Sequence, residues 1–236
     1  MKTALITGAS RGIGAAIARR LSDDGFRVIL NCRQSRDACV ALARELGAYT
    51  IFADISREDE VAKMAEEAEA LGGVDVLVNN AGIAMQKMLC DTAPTDWDGI
   101  FAADMRGAYL VTRALMGHMV HNKYGRIINI SSIWGEEGAS CEVAYSAAKA
   151  ALIGFTKSLA KELAPPDFPA STAIGALAHY ISNKAVTDFQ PMNVNFGIFD
   201  QSEITAKRKK DRRAQISEMA RKKIGRIAQE IFSEGE

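Results

Sequence analysis

The sequence predicts an α/β fold in which helices cover both faces of a parallel sheet. Short runs rich in β-branched residues alternate with longer segments of helical periodicity, as in strands joined by helical crossovers. With 236 residues, 48% of them hydrophobic, the chain is long enough to bury one core of this kind. A glycine-rich turn after the first run and polar residues after later runs place the candidate chemistry at the carboxyl ends of the strands.

Five strand–helix units can be assigned in chain order. The strands are predicted at Thr3–Thr7, Arg27–Asn31, Tyr49–Phe52, Asp75–Val78 and Gly125–Ile130. The helices are predicted at Ile13–Asp24, Arg36–Leu46, Glu58–Leu71, Thr95–His121 and Ala144–Leu163. Because right-handed crossovers keep such strands parallel, we expect a doubly wound, Rossmann-like sheet.

The strand–helix pattern stops at a group of prolines, Pro165, Pro166 and Pro169, which predicts a domain boundary after residue 165. The sheet is therefore expected to be truncated after its fifth strand. Residues 166–236 are expected to form a mostly helical tail, with helices at Thr172–Ser182 and from about Glu203 to Phe232. Between them, Pro191–Phe199 alternates apolar and polar residues, so we predict that it can add a strand at the open edge of the fifth strand.

Charge and composition argue against several classes of partner. Twenty-nine basic and twenty-nine acidic residues cancel, so no overall field attracts the chain to nucleic acid or to a membrane surface. We expect no membrane segment, no leader and no metal site, and the scattered cysteines suit reduced thiols in the cytoplasm. The basic run Lys207–Arg213 can hold RNA phosphates, but a solvated helix face is the favoured interpretation.

A glycine-rich turn with the spacing GxxxGxG follows the first strand. Glycines at these positions let the backbone approach a pyrophosphate at a helix N-terminus. An ordinary tight turn between strand and helix is the alternative for this motif taken alone. The candidate cofactor-binding residues of the turn are Gly8, Ser10, Arg11, Gly12, Ile13 and Gly14.

The residues at the end of the second strand indicate which dinucleotide would bind. An NAD site carries an acidic residue there to accept bonds from the adenosine ribose, whereas this chain has Asn31, Cys32 and Arg33. Together with Arg11 in the turn, Arg33 suits a 2′-phosphate and hence NADPH. Solvated surface charge is the alternative for both arginines.

A serine, a tyrosine and a lysine form the candidate catalytic group. Tyr145 and Lys149 are four residues apart on a predicted helix and so share a face, while Ser132 follows the fifth strand. An ammonium beside a phenol favours the phenolate and makes a tyrosine a usable proton donor near neutral pH. The serine hydroxyl can polarise a carbonyl oxygen. An exposed tyrosine–lysine pair on a helix surface is the alternative.

These motifs together resemble the short-chain dehydrogenase/reductase family. The likeness rests on the glycine turn, on the Asn79-Asn80-Ala81-Gly82 segment, and on a serine thirteen residues before the tyrosine. The resemblance implies NADPH-dependent reduction of a ketone to an alcohol. It also implies further cofactor contacts from Asp54, Ile55, Asn80, Ala81, Gly82, Tyr145 and Lys149.

The resemblance further implies a fourth catalytic residue, an asparagine in the family, at the position of Asp104. An anion there should stabilise the charged ammonium of Lys149 and disturb the hydrogen bonding of the proton relay. We therefore expect a weakened enzyme.

Residues 1–163 are similar to the 3-oxoacyl-acyl-carrier-protein reductases in general. The segment from Ser131 to Tyr145 resembles that of the elongation factor P 5-aminopentanone reductases, which reduce a ketone on a modified lysine of that factor. This likeness makes Trp134 and Glu142 candidate substrate contacts, with wall packing and solvated charge as the alternatives. The ketone would be carried by acyl carrier protein or by elongation factor P. The family resemblance also implies a homodimer through the helices at 95–121 and 144–163.

The C-terminal residues 166–236 resemble a different family. Phe168–Ser182 and Phe189–Phe199 are similar to the extreme C-terminus of the folate- and FAD-dependent tRNA uracil-5-methyltransferases, whose catalytic regions have no counterpart here. The alternatives to an active reductase are therefore an inactive or unstable chimera, joined near Pro165 by a gene fusion or deletion, and an RNA-associated module that acts through the basic tail.

Overall fold

The computed structural model describes residues 1–163 and, as backbone only, the short strand at 179–181. Its centre is a parallel sheet of six strands in the order β3-β2-β1-β4-β5-β6. Successive strands are added outward from β1 to β3, and the chain then returns to place β4 on the other side of β1. The crevice at the carboxyl ends of β1 and β4 is therefore the switch point of the sheet, where doubly wound folds bind ligands.

The five predicted strands are confirmed, with each end within one residue of its expected position. All neighbouring pairs are parallel. The strands are β1 (Thr3–Ile6), β2 (Arg27–Cys32), β3 (Tyr49–Phe52), β4 (Val76–Asn79), β5 (Arg126–Ile130) and β6 (His179–Ile181). Every residue of β1 and β4 is buried, which explains why these strands read as near-continuous apolar runs.

The helices also follow the predicted order, with one internal difference. They are α1 (Gly12–Asp23), α2 (Arg36–Leu46), α3 (Glu58–Ala70), α4 (Pro94–Phe101), α5 (Gly107–His121), α6 (Trp134–Glu137) and α7 (Val143–Glu162). The helix predicted at Thr95–His121 is interrupted by a π-helical segment, Ala102–Arg106, between α4 and α5. The short helix α6 was not expected.

Two apolar layers lie on opposite faces of the sheet. Ile17 of α1 belongs to the layer on one face, whereas Val111 of α5 and Leu159 of α7 belong to the layer on the other. Consecutive residues of β1 divide between them, with Ile6 in the first layer and Leu5 in the second. This alternation fixes which strand residues face α7, the helix that carries the predicted tyrosine and lysine.

The outer strand β3 is short and partly open to solvent. Tyr49 and Phe52 are 45% and 36% exposed. The guanidinium of Arg36, at the start of α2, lies over the ring of Phe52 with its Cζ 5.0 Å from the ring centroid. The ring of Phe52 at this edge is therefore partly covered by a cation.

Strand β6 corrects two expectations about the tail. Residues 179–181 pair in parallel with β5, with Ile181 opposite Ile130, so the helix predicted at Thr172–Ser182 is wrong for these residues. The position beside β5, which we expected Pro191–Phe199 to take, belongs to β6. Without β6, the backbone groups on this side of β5 would lack hydrogen-bond partners. Pairing with β5 therefore outweighs the local helical propensity of these residues.

The other expectations for the tail lie outside the described residues. These are the boundary after residue 165, the remainder of the helix at 172–182, the extended segment at 191–199, and the helix at 203–232 with its basic run at 207–213. Within the described part of the chain, no helix combines the length and apolar character needed to cross a bilayer.

Candidate active site

The glycine turn between β1 and α1 has the backbone shape that a bound phosphate group needs. Gly8 and Gly12 have φ angles of +64° and +59°, a left-handed conformation that glycine adopts with little strain. A Cβ placed on Gly12 would meet no atom within 4 Å, so the turn is open on that side. Because α1 begins at Gly12 and the Arg11 side chain does not cap it, the N–H groups of its first turn are left without a side-chain partner and can bind an anion.

The turn is held by the segment that follows β4. Thr7 Oγ1 accepts hydrogen bonds from the N–H groups of Asn80 and Ala81, both at 3.0 Å. Asn80 Nδ2 donates to the carbonyls of Thr7 at 2.9 Å and Gly8 at 3.2 Å. A Cβ on Gly8 would lie 2.8 Å from Ala81 Cα, so only glycine fits there. The two predicted cofactor motifs are therefore joined into one wall of the crevice.

The two arginines predicted for a 2′-phosphate have different surroundings. Arg33 donates to Asp54 Oδ2 at 3.1 Å. Burial alone would raise the pKa of the Asp54 carboxyl, but hydrogen bonds from Ser56 and the nearby Arg33 charge bring that pKa below its ordinary value. Asp54 is therefore an anion at neutral pH and partly neutralises Arg33. Arg11 is exposed and makes no ion pair with the residues that the structure describes.

Ser132 lies directly after β5 and is only 2% exposed. Its Oγ accepts the N–H of Trp134, the first residue of α6, at 3.2 Å. A hydroxyl whose oxygen accepts one bond keeps its own proton available to donate. This arrangement suits a serine that donates a hydrogen bond to a carbonyl oxygen.

Lys149 places its ammonium between the end of β5 and the tyrosine ring. The residue is 4% exposed, and Nζ donates to the carbonyl of Ile130 at 3.1 Å. The same nitrogen lies 5.6 Å from the centroid of the Tyr145 ring. Tyr145 is half-buried, one helical turn before Lys149, and packs against the small apolar cluster around Ile100. The structure therefore brings the predicted tyrosine and lysine together.

Asp104 lies in the π-helical segment and is 1% exposed. Its Oδ2 is 3.1 Å from Lys149 Nζ, and its Oδ1 accepts the N–H of Ile83 at 2.7 Å. Burial raises the pKa of the Asp104 carboxyl above its ordinary value, and the Lys149 ammonium and the Ile83 N–H offset only part of that rise. A Cβ on Gly82 would lie 2.7 Å from Asp104 Oδ2, which explains a glycine at this point. Extra turns of π-helix often occur at functional sites.

The segment that follows β4 is hydrogen-bonded to the segment that precedes α7. The N–H of Lys87 donates to the carbonyl of Cys141 at 2.7 Å, and Gln86 Nε2 donates to Glu142 Oε1 at 3.3 Å. Glu142, a predicted substrate contact, thus joins these segments and makes no described bond to the catalytic group. Cys141 has a φ angle of +61°, a left-handed conformation that is strained for a residue with a Cβ.

A buried set of neutral polar residues behind the site was not predicted. Asn79 Nδ2 donates to Asn129 Oδ1 at 2.8 Å and to Thr112 Oγ1 at 3.0 Å. Asn129 Nδ2 in turn donates to Thr156 Oγ1 at 2.8 Å. An asparagine inside an otherwise apolar strand was the available signal, because a buried amide requires partners.

Thr7 was also missed as a contributor to the site. Its position at the end of a buried strand, directly before the glycine turn, was the available signal, since a buried hydroxyl there must bond to the neighbouring segment.

Fold and site together define an α/β oxidoreductase. Residues 2–169 match the family model described as short chain dehydrogenase. The chain therefore belongs to the short-chain dehydrogenase family, as the sequence motifs predicted.

Relatives and a solved structure agree with this assignment. The chain is 41% identical over 171 residues to 3-oxoacyl-[acyl-carrier-protein] reductase FabG of Aquifex aeolicus, covering 70% of this chain and 68% of that protein. It is 38% identical over 207 residues to acetoacetyl-CoA reductase of Paracoccus denitrificans, covering 87% and 84%. A metagenomic short-chain oxidoreductase crystallised in complex with NADP superposes with a TM-score of 0.66 at 40% identity, covering 69% of this chain and 76% of that one.

We predict that Cys141→Gly stabilises the protein by about 1 kcal/mol, because glycine removes the strain of the left-handed conformation. Thermal or denaturant unfolding measures the change. Cys141→Ser is the matched control, since it removes the thiol and keeps the strain, and it should give no gain. Equal stability of the glycine and serine variants would contradict the strain argument.

Proposed function

We propose that the chain catalyses NADPH-dependent reduction of a ketone to a secondary alcohol. The observation that carries the proposal is the meeting of Lys149, Tyr145 and Asp104 at the carboxyl ends of the strands, beside the glycine turn. Membership of the short-chain dehydrogenase family supports a redox reaction. The names of relatives, among them 3-oxoacyl-[acyl-carrier-protein] and acetoacetyl-CoA reductases, support a ketone in an acyl thioester.

The residues of the crevice fit a dinucleotide. The left-handed, open backbone at Gly12 and the uncapped start of α1 suit a pyrophosphate. We propose that the turn residues Gly8 to Gly14 hold the phosphates, that Asp54 and Ile55 contact the adenosine half, and that Asn80, Ala81 and Gly82 line the crevice beyond them. NADPH would supply the hydride when bound.

The chain's own residues would hold and polarise the ketone. The Ser132 hydroxyl donates to the carbonyl oxygen, since its own oxygen already accepts the Trp134 N–H. Tyr145 donates the proton that converts the oxygen to a hydroxyl. The Lys149 ammonium favours the phenolate that remains, and the bond to the Ile130 carbonyl keeps that ammonium in place.

Asp104 is proposed to restrain this proton transfer. A carboxylate can only accept hydrogen bonds, whereas an amide both accepts and donates. The Asp104 charge 3.1 Å from Nζ holds the ammonium toward itself, which weakens its effect on the phenol.

For the substrate, we propose a 3-oxoacyl thioester, with acyl carrier protein as its carrier. A 5-aminopentanone on elongation factor P is the second candidate, supported by the likeness of the segment from Ser131 to Tyr145. The homodimer through α4, α5 and α7, the cytoplasmic location and the foreign origin of residues 166–236 stay predictions.

We predict that Tyr145→Phe lowers kcat for NADPH oxidation with a simple 3-oxoacyl thioester by at least about 100-fold, because it removes the proton donor. Absorbance at the reduced-nicotinamide band follows the reaction. Tyr109→Phe, at an exposed tyrosine of α5, is the matched control and should retain wild-type turnover. A Tyr145→Phe variant with wild-type kcat, or a wild-type protein that binds NADPH and reduces no ketone, refutes the proposal.

We predict that Asp104→Asn raises kcat on the order of tenfold, the equivalent of about 1.4 kcal/mol in the barrier. The amide oxygen can still accept the Ile83 N–H, so the loop keeps its position, while the ammonium loses its anionic partner. Steady-state kinetics measures the effect, and a thermal unfolding curve checks that the variant is folded. Turnover that is unchanged or lower in a folded variant would show that Asp104 does not restrain the enzyme.

We predict that Arg11→Ala raises the KM for NADPH by roughly 10- to 100-fold, because a charged hydrogen bond to the 2′-phosphate is lost. The KM for NADH should stay unchanged, since NADH lacks that phosphate. Arg33→Ala is the matched comparison and should have a smaller effect, because Arg33 is already paired with Asp54. A loss of NADPH and NADH affinity in equal measure would contradict a role for Arg11 in phosphate recognition.

A further inference from the structure

Besides the bond from Lys149 Nζ to the carbonyl of Ile130, two buried hydrogen bonds join the end of β5 to α7. Ser131 Oγ donates to the carbonyl of Lys149 at 3.0 Å, and Asn129 Nδ2 donates to Thr156 Oγ1 at 2.8 Å. The four residues of these two bonds are at most 4% exposed. The two bonded positions on α7 are seven residues apart, about two helical turns, so both lie on the helix face that meets the sheet.

We infer that these two bonds, here named the β5–α7 clamp, position the Tyr145–Lys149 pair against Ser132. Apolar packing of α7 on the sheet is non-directional and tolerates small slides, whereas a hydrogen bond has a preferred distance and angle. Two such bonds, two turns apart, fix both the position of α7 along its axis and its rotation. The inference rests on the proposed function of the catalytic group.

The clamp acts directly on the reacting residues because it includes their neighbours. Ser131 precedes Ser132 in the chain, and the clamp acceptor is the backbone carbonyl of Lys149 itself. A shift of α7 along the sheet therefore moves the Tyr145 phenol relative to the Ser132 hydroxyl. Ser131 and Thr156 are thus positioning residues, which act through residues that touch the substrate.

The Thr156 hydroxyl uses both of its hydrogen-bonding roles. It accepts from Asn129 and donates to the carbonyl of Leu152 at 2.7 Å. A serine at position 156 can form both hydrogen bonds. A valine can form neither, although it has nearly the shape of threonine.

Thr112 supplies a matched control within the same buried set of residues. It is 1% exposed, like Thr156, and accepts a hydrogen bond from Asn79, but it lies on α5 and not on α7. Thr112→Val therefore removes the same chemical group at the same depth, and it removes neither of the two clamp bonds.

The experiment compares the full-length wild-type chain with Ser131→Ala, Thr156→Val, Thr156→Ser and Thr112→Val. It measures kcat, the KM for NADPH, the thermal midpoint, and hydrogen exchange of the α7 amides. Ser131→Ala and Thr156→Val should lower kcat by about 10- to 100-fold, because small misplacements of reacting groups have effects of this size. The KM for NADPH should change by a smaller factor than kcat, since Ser131 and Thr156 form no described hydrogen bond with the glycine turn and only the proposed cofactor contacts on α7 would move.

The two control variants separate positioning from simple loss of stability. Thr112→Val should lower the thermal midpoint as Thr156→Val does and keep the wild-type kcat. Thr156→Ser should restore kcat relative to Thr156→Val. Exchange of the amides at 145–156 should be faster in Ser131→Ala and Thr156→Val than in Thr112→Val.

The inference is overturned if Ser131→Ala and Thr156→Val change kcat and α7 exchange no more than Thr112→Val does. A wild-type chain that reduces no ketone refutes the proposed function instead. In that case hydrogen exchange of the α7 amides alone decides whether the clamp holds α7. Equal exchange rates in all variants refute the clamp.

Discussion

The structure at the carboxyl ends of the strands depends on the burial of one lysine ammonium. Lys149 is 4% exposed, and a buried charge is tolerated only when it is paired and hydrogen-bonded. The carbonyl of Ile130 and the carboxylate of Asp104 meet this requirement. The end of β5, the π-helical segment and α7 are therefore joined at a single nitrogen atom, and Gly82 must be small because the pair leaves no room for a side chain.

The fold was largely predictable because its strands and long helices follow simple periodic patterns. The π-helical segment at 102–106 was not, since it is defined by backbone hydrogen bonds between residues five apart, which apolar periodicity does not report. The four-residue helix α6 is too short for a period to be detected. Residues 179–181 were predicted as helix because the local pattern is all that the sequence shows. Their strand conformation depends on pairing with β5, which is distant in sequence.

The candidate site likewise contains features that the sequence predicted and features that it did not. Residue spacing located the glycine turn and the tyrosine–lysine pair, since these motifs are local in sequence. Pairs of residues that are distant in sequence, such as Arg33 with Asp54, depend on three-dimensional packing and were not anticipated. The same holds for Asn129 with Thr156, although a polar residue in a buried strand is itself a signal that a partner exists.

The cation at the outer edge of the sheet has a consequence for the behaviour of the protein at high concentration. Strand β3 has only four residues, and Arg36 holds a guanidinium over Phe52 beside the edge that pairs with no other strand in the described part of the chain. Short edge strands that carry a charged side chain are poor templates for the addition of a strand from another molecule. Fibrous aggregation seeded from β3 would have to strip that arginine from the aromatic ring and desolvate its charge, so this side of the molecule is intrinsically protected against it.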